Sequence, residues 1–169
     1  MIYVLFGPPG VGKSYLGSLI SLKTDYGFVD ADNMFDEIER SLIRKGQYDI
    51  RARMLFFEKI IKYLRNIYPI KFSNLVVAQA FTLEENREQF IKSNKNDVHF
   101  IQVKCPRDVA KSRVINRFKI KTHIITPEIF DRIWDQFEQP RIECDILLNE
   151  NVSDSQLESK MTKIFDRFK

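Results

Sequence analysis

Gly7-Pro8-Pro9-Gly10-Val11-Gly12-Lys13-Ser14 fits the pattern GxxxxGK followed by Ser or Thr. Glycines at such spacing let the backbone curl until successive N–H groups converge on phosphate oxygens. A helix starting just beyond the loop adds the positive end of its dipole. In a loop of this kind Lys13 reaches the β- and γ-phosphates, and the Ser14 hydroxyl ligates Mg²⁺. The expected ligands are therefore ATP and Mg²⁺. The expected nucleotide contacts are Pro9, Gly10, Val11, Gly12, Lys13, Ser14 and Tyr15.

A phosphate loop needs a carboxylate on the metal side, usually at the end of an apolar strand. Phe28-Val29-Asp30 qualifies, whereas Ala78-Gln79-Ala80 and Val103-Lys104-Cys105 offer no acid. Asp30 stands only 16 residues beyond Ser14, too close for a motor or AAA+ ATPase. Asp32, one residue further, is the candidate to orient or deprotonate an acceptor hydroxyl. Its alternative role is to cap a following helix.

These groups must be held by a scaffold, and the hydrophobic pattern describes one. Short apolar runs at 2–6, 26–29, 74–78, 98–103 and 145–148 read as strands. Helix-period stretches fall between them, from about Gly12 and at 33–45, 52–67, 83–92, 107–118 and 128–137, with a last helix carrying Leu157, Met161, Ile164, Phe165 and Phe168. Alternation of this kind predicts right-handed βαβ units and a parallel sheet covered on both faces. The expected fold is a three-layer α/β/α P-loop NTPase domain spanning 1–169, with five parallel strands in the order 2-3-1-4-5. The basic stretch 117–127 fits the alternation least and is expected to form a small lid.

Several short segments give the chain a resemblance to a known group. Phe28-Val29-Asp30-Ala31-Asp32 resembles the Phe-x-Asp-x-Asp element of shikimate kinases, and Gly46-Gln47-Tyr48-Asp49-Ile50-Arg51 their Gly-Glu-x-x-Phe-Arg element. Val76-Val77-Ala78 with Arg87, and Gln136-Phe137-Glu138-Gln139-Pro140, are similar to segments of gluconate kinases. The resemblance implies a small-molecule kinase with the nucleoside monophosphate kinase-like fold. It also implies that Arg113 stacks near adenine, that Arg117 reaches the phosphates from the lid, and that Arg51 (or the neighbouring Arg53) holds an anionic group of the acceptor. A solvated basic face is the other reading of Arg113 and Arg117. The chain departs from both patterns. Gln79-Ala80-Phe81 replaces the Gly-Gly-Gly turn of shikimate kinases, and Asp32-Asn33-Met34-Phe35 replaces the His-Pro-x-x-Asn element of gluconate kinases.

The expected activity is thus transfer of the γ-phosphate of ATP to a hydroxyl of a small molecule. Catalysis would rest on Lys13, Asp30, Asp32 and Arg117, the acceptor on Asp32 and Arg51, and the metal on Ser14 and Asp30. Two alternatives stand beside it: a polynucleotide 5′-hydroxyl or nucleotide kinase, and a nucleotide-binding module without kinase activity. Composition narrows these choices little. The 169 residues, 44% hydrophobic and 30% charged, suit one globular domain. A net charge of +4 suits phosphate ligands without requiring nucleic acid. Two cysteines without metal-ligand spacing, no apolar run of spanning length and no basic leader before Ile2 suggest a reduced, cytoplasmic protein, a monomer or weak dimer.

Overall fold

The computed structural model describes residues 1–94, 97–120, 125–150 and 152–168. Five parallel strands form one sheet: β1 (Ile2–Phe6), β2 (Gly27–Asp30), β3 (Leu75–Ala78), β4 (Val98–Lys104) and β5 (Cys144–Leu148). Their order is β2-β3-β1-β4-β5, as the alternation of elements predicts. Val4 at the centre of β1 lies beside Val77 of β3 and Phe100 of β4. β1 is buried along its whole length, which explains why it reads as a continuous apolar run.

Alternate side chains of the sheet enter two cores. Tyr3 and Leu5 of β1, Val76 of β3, and Ile101 and Val103 of β4 face one. There they meet α1 (Lys13–Lys23), α5 (Arg107–Lys119) and α7 (Asp154–Phe165), with Phe130 of α6 (Pro127–Asp135). Ile2, Val4 and Phe6 face the other, against α3 (Ile50–Ile67) and Phe90 of α4 (Glu84–Ser93). That second core is rich in rings: Phe81 lies 5.0 Å from Phe90 and 5.4 Å from Phe100 between centroids. Offset and edge-on ring pairs add to what area burial alone supplies.

The structure differs from the sequence reading between 31 and 50. One helix was expected over 33–45; instead a 3₁₀ turn covers Ala31–Met34 and α2 runs only from Glu37 to Arg44. The reason is local. Asp36 accepts from the Glu39 N–H, and Glu39 reaches back to the Asp36 N–H, so a new helix starts there. Asp49 likewise accepts from Ala52 N–H and starts α3 at Ile50, two residues earlier than expected. On the other side of the sheet, Arg107 pairs with Asp131 at 2.9 Å and with Asp135 at 2.8 Å, clamping α6 to α5. The expected lid falls between these helices. Lys121, Thr122, His123 and Ile124 lie outside the described residues.

Candidate functional site

Parallel strands place every βα junction on one edge of the sheet. The 7–14 loop follows β1, Asp30 ends β2, and Gln79 follows β3, so all three come to the same edge of the sheet. Within the loop, Gly10 has φ +81° and Gly12 φ +102°, a left-handed backbone that side chains disfavour. Space forbids a side chain as well. A Cβ on Gly10 would stand 2.3 Å from the Ala110 carbonyl oxygen, and one on Gly12 2.1 Å from Asn149 Nδ2. The glycines of the sequence pattern are therefore packing requirements of this fold.

Lys13 is buried and folds back over its own loop, donating to the carbonyls of Gly7 and Pro8 at 2.9 Å each. Burial lowers its pKa to about 8, against the opposing pull of Asp32 and Asp30, while Arg117 lowers it further. Four charged groups named from the sequence thus act on one another around one point. Asp32 is half-buried and lines the cleft. Burial raises its carboxyl to about 6, Asp30 adding to the rise and Lys13 and Arg40 opposing it. Asp30 has the capping role that the sequence left open for Asp32: its Oδ1 accepts from the Asp32 N–H at 3.1 Å. Asp30 thereby fixes the turn that carries Asp32 into the cleft.

The cleft itself encloses about 1040 Å³, its open mouth included. Pro9, Gly10, Gly12, Lys13 and Ser14 form one wall, and Arg117 of α5 also lines it. Arg113 lies one turn earlier on α5, half-buried, and donates to the Asn149 carbonyl at 3.3 Å. Tyr15 stands 45% exposed with its hydroxyl bonded to Asp154 of α7, so its side chain turns away from the loop. Arg51 is exposed and outside the cleft lining, whereas Arg53 lines it. Residues two apart on a helix do not share a face, and the Asp49 cap fixes which face turns inward.

Two features lie outside the site residues expected from the sequence. Asn149, just past β5, is buried and donates from Nδ2 to the Val11 carbonyl at 2.8 Å, while its own N–H bonds the Lys104 carbonyl at 2.8 Å. It ties the phosphate loop to the sheet. No local pattern marks such an asparagine, because its partner is 138 residues away. Behind the cleft, Arg87 is fully buried. It pairs with Glu84, donates to the Phe81 carbonyl at 2.9 Å and the Glu138 carbonyl at 2.6 Å, and lies 5.0 Å from the rings of Phe6 and Phe137. Glu138 Oε2 accepts from the Glu84 N–H at 2.7 Å, and Glu84 Oε1 from the N–H groups of Arg141 and Ile142. The two gluconate-kinase-like segments, around Arg87 and around Gln136–Pro140, are thus joined in space.

The set of oxygen donors at the loop, a serine hydroxyl and nearby carboxylates, suits a hard divalent cation. Among the described residues no three His, Cys, Asp or Glu side chains could hold a metal by themselves. Among the described residues no helix is long and apolar enough to cross a membrane.

No model of a known protein family matches the chain, and no curated protein does. Solved structures do match. A sugar kinase from Janibacter sp. HTCC2649 superposes with a TM-score of 0.80 at 14% identity, covering 98% of this chain and 94% of that one. A gluconokinase from Sinorhizobium meliloti 1021 gives 0.72 at 16%, covering 98% and 95%. Deoxyadenosine kinase from M. mycoides with bound dATP gives 0.63 at 17%, covering 97% and 99%. The chain has the fold of the P-loop kinases that phosphorylate small molecules and nucleosides.

Proposed function

We propose that the protein is an ATP- and Mg²⁺-dependent kinase that phosphorylates a hydroxyl of a small acceptor. The observation that carries this reading is Asp32, a carboxylate with its pKa raised to about 6, facing the same cleft as Lys13 and the phosphate loop. A pKa near the working pH is what a general base needs. A module that only senses nucleotide has no use for such a base. The similarity to kinases of sugars, gluconate and deoxyadenosine agrees with it.

In this reading the loop N–H groups and Lys13 hold the triphosphate. Ser14 and Asp30 hold Mg²⁺, which when bound neutralises charge on the phosphate oxygens. Asp32 takes the proton from the acceptor hydroxyl. The hydroxyl oxygen bonds to the γ-phosphorus, and the bond to the β–γ bridging oxygen breaks, leaving ADP with that electron pair. Arg117 meets the charge on the transferring group, a role a planar, permanently charged guanidinium fills well. Arg113, already bonded beside the loop, borders the adenine side. The acceptor occupies the part of the cleft where Arg53 stands.

The test is ADP release with ATP and Mg²⁺ across polyols, sugar acids, nucleosides, nucleotides and 5′-hydroxyl oligonucleotides. ADP formed in step with a phosphorylated acceptor supports the reading. ADP formed only with inorganic phosphate, whatever the acceptor, would reduce the protein to an ATPase.

A further inference from the structure

The proposed kinase reading leaves the acceptor open, and the lining of the cleft narrows it. Away from the phosphate loop the walls are Phe35, Ile43, Tyr48, Phe56, Phe57 and Phe81, with Ile133. The rings form two groups. Phe35 stacks on Phe56 at 3.8 Å and 12°, with Tyr48 edge-on to Phe35. Phe57 lies 5.0 Å from Phe81. The Tyr48 hydroxyl is already donating to the Ala52 carbonyl. Phe81 sits at φ +44°, a backbone conformation a bulky residue rarely adopts, and it stands where the chain leaves β3 for the cleft.

Polar groups in this part are few: Asp32, Gln79, Thr82 and Arg53. Gln79 is 6% exposed, and its Oε1 accepts from the Ala80 N–H, so its amide N–H₂ is the end available to a ligand. Arg53 is half-buried and bonds only weakly to Gln136, at 3.4 Å. A polyol or sugar acid carries a hydroxyl on nearly every carbon. Against these walls most of them would lose their bonds to water and gain none. The faces of a flat ring have no such bonds to lose, and Phe35, half-buried in the lining, offers a ring to stack against.

We propose that the acceptor is a nucleoside, its base lying against the phenylalanine walls and its sugar hydroxyl reaching Asp32. Gln79 and Arg53 donate to ring nitrogens or carbonyl oxygens of the base. The primary hydroxyl attacks the γ-phosphorus, its proton passes to Asp32, and the nucleoside monophosphate and ADP leave. The rings offer the base an apolar surface, and Gln79 and Arg53 offer donors to the acceptors on its edge.

Steady-state kinetics with ATP and Mg²⁺ should compare ribo- and 2′-deoxyribonucleosides with gluconate, shikimate and glycerol. At least one nucleoside should exceed all three in kcat/KM by about 100-fold or more. Phe35→Leu keeps an apolar side chain but removes the flat face, and should raise KM for that nucleoside about tenfold with KM for ATP unchanged. Gln79→Leu should change the ranking among bases. Calorimetry with a non-hydrolysable ATP analogue separates the two layers of the argument. If gluconate or shikimate outruns every nucleoside, the nucleoside assignment is wrong and the kinase stands. If the analogue binds and no nucleoside binds beside it, the assignment is again wrong. If neither analogue nor acceptor binds, the kinase reading fails first.

Discussion

The two walls of the cleft keep their shapes by different means. The phosphate loop is a backbone device: three positive-φ glycines and a lysine bonded to its own loop's carbonyls. Everything needed lies within eight consecutive residues. The facing wall is a side-chain device, made of rings from the turn after β2, from the α2–α3 connection and α3, and from the turn after β3. Behind it stands a buried ion pair, Arg87 with Glu84, that binds three separate backbone segments. The first design holds phosphate, a task that does not change with the acceptor. The second can change its occupant by changing side chains, which is how one fold can host many functions.

Breaking the first wall should have the larger effect. Lys13→Ala removes the cation that follows the γ-phosphate while leaving the glycine turns intact. Turnover should fall by ~10³-fold or more, as losses of transferring-charge contacts do. Circular dichroism and thermal unfolding should stay close to wild type, because the Lys13 ammonium donates to carbonyls of its own loop. Turnover within tenfold of wild type would remove the loop from the chemistry.

Breaking the second wall from behind should act on stability instead. Arg87→Met fills similar volume but leaves the buried Glu84 carboxylate without its cation. Such half-removed pairs cost about 3–5 kcal/mol. Burial alone would raise the Glu84 carboxyl; Arg87 and the N–H groups of Arg141 and Ile142 hold it below its ordinary value instead. Urea unfolding measures the loss. KM for the acceptor should rise more than KM for ATP, because Phe81 and Thr82 of the cleft are bonded to Arg87 through their carbonyls. Equal rises would mean that the two walls are mechanically one unit.

The join between the walls is Asp32, and pH reads it. With its carboxyl at about 6, kcat/KM should fall as pH drops through 6. Asp32→Asn should lose ~10²–10⁴-fold in turnover together with that acid limb. Its effect on stability has the opposite sign. The folded pKa lies above the ordinary 3.8, so ionised Asp32 disfavours the folded state fully above pH 6 and not at all below 3.8. Asp32→Asn should therefore gain about 1–2 kcal/mol at pH 7, a bare shift of this size being reduced by partial exposure. The gain should shrink as pH falls from 6 to 4. A mutant with a wild-type acid limb would assign the base elsewhere.

The same contrast explains what the sequence disclosed. The strand order and the loop were legible because period-2 and period-3.6 patterns and a contiguous motif carry them. Asp30 and Asp32 were legible as a pair, but not which one caps. That depends on a 3₁₀ turn set by the Asp36–Glu39 box, a signal present in the sequence and overridden by the apolar pattern of 33–45. The choice between Arg51 and Arg53 turned on the Asp49 cap two residues upstream. The phenylalanine wall was not legible at all. Its rings read simply as core, because only tertiary packing brings Phe35, Phe57 and Phe81 to one cavity. Part of the expected lid, Lys121 to Ile124, lies outside the described residues, and Arg117 at its start lines the cleft.

The smallest expected effect tests how firmly the first wall depends on the rest of the fold. Asn149 is a buried side-chain tie from it to the far edge of the sheet: Nδ2 to the Val11 carbonyl, and main chain to Lys104 and Arg113. Asn149→Ala keeps the main-chain bonds and leaves the Val11 carbonyl unpaired, a loss of about 1–2 kcal/mol. It also opens space beside Gly12, whose missing Cβ the Asn149 amide now fills. The loop should then sample conformations in which its N–H groups no longer converge, so part of the binding energy for phosphate goes to reordering it. KM for ATP should rise about tenfold, while kcat stays within about threefold, since the bound loop is the same loop. KM for the acceptor should not move. Thermal unfolding with and without a non-hydrolysable ATP analogue separates the contributions: the deficit of the mutant should be larger with the analogue than without it. If the deficit is the same in both, the phosphate loop holds its shape without the asparagine, and the backbone device is self-sufficient.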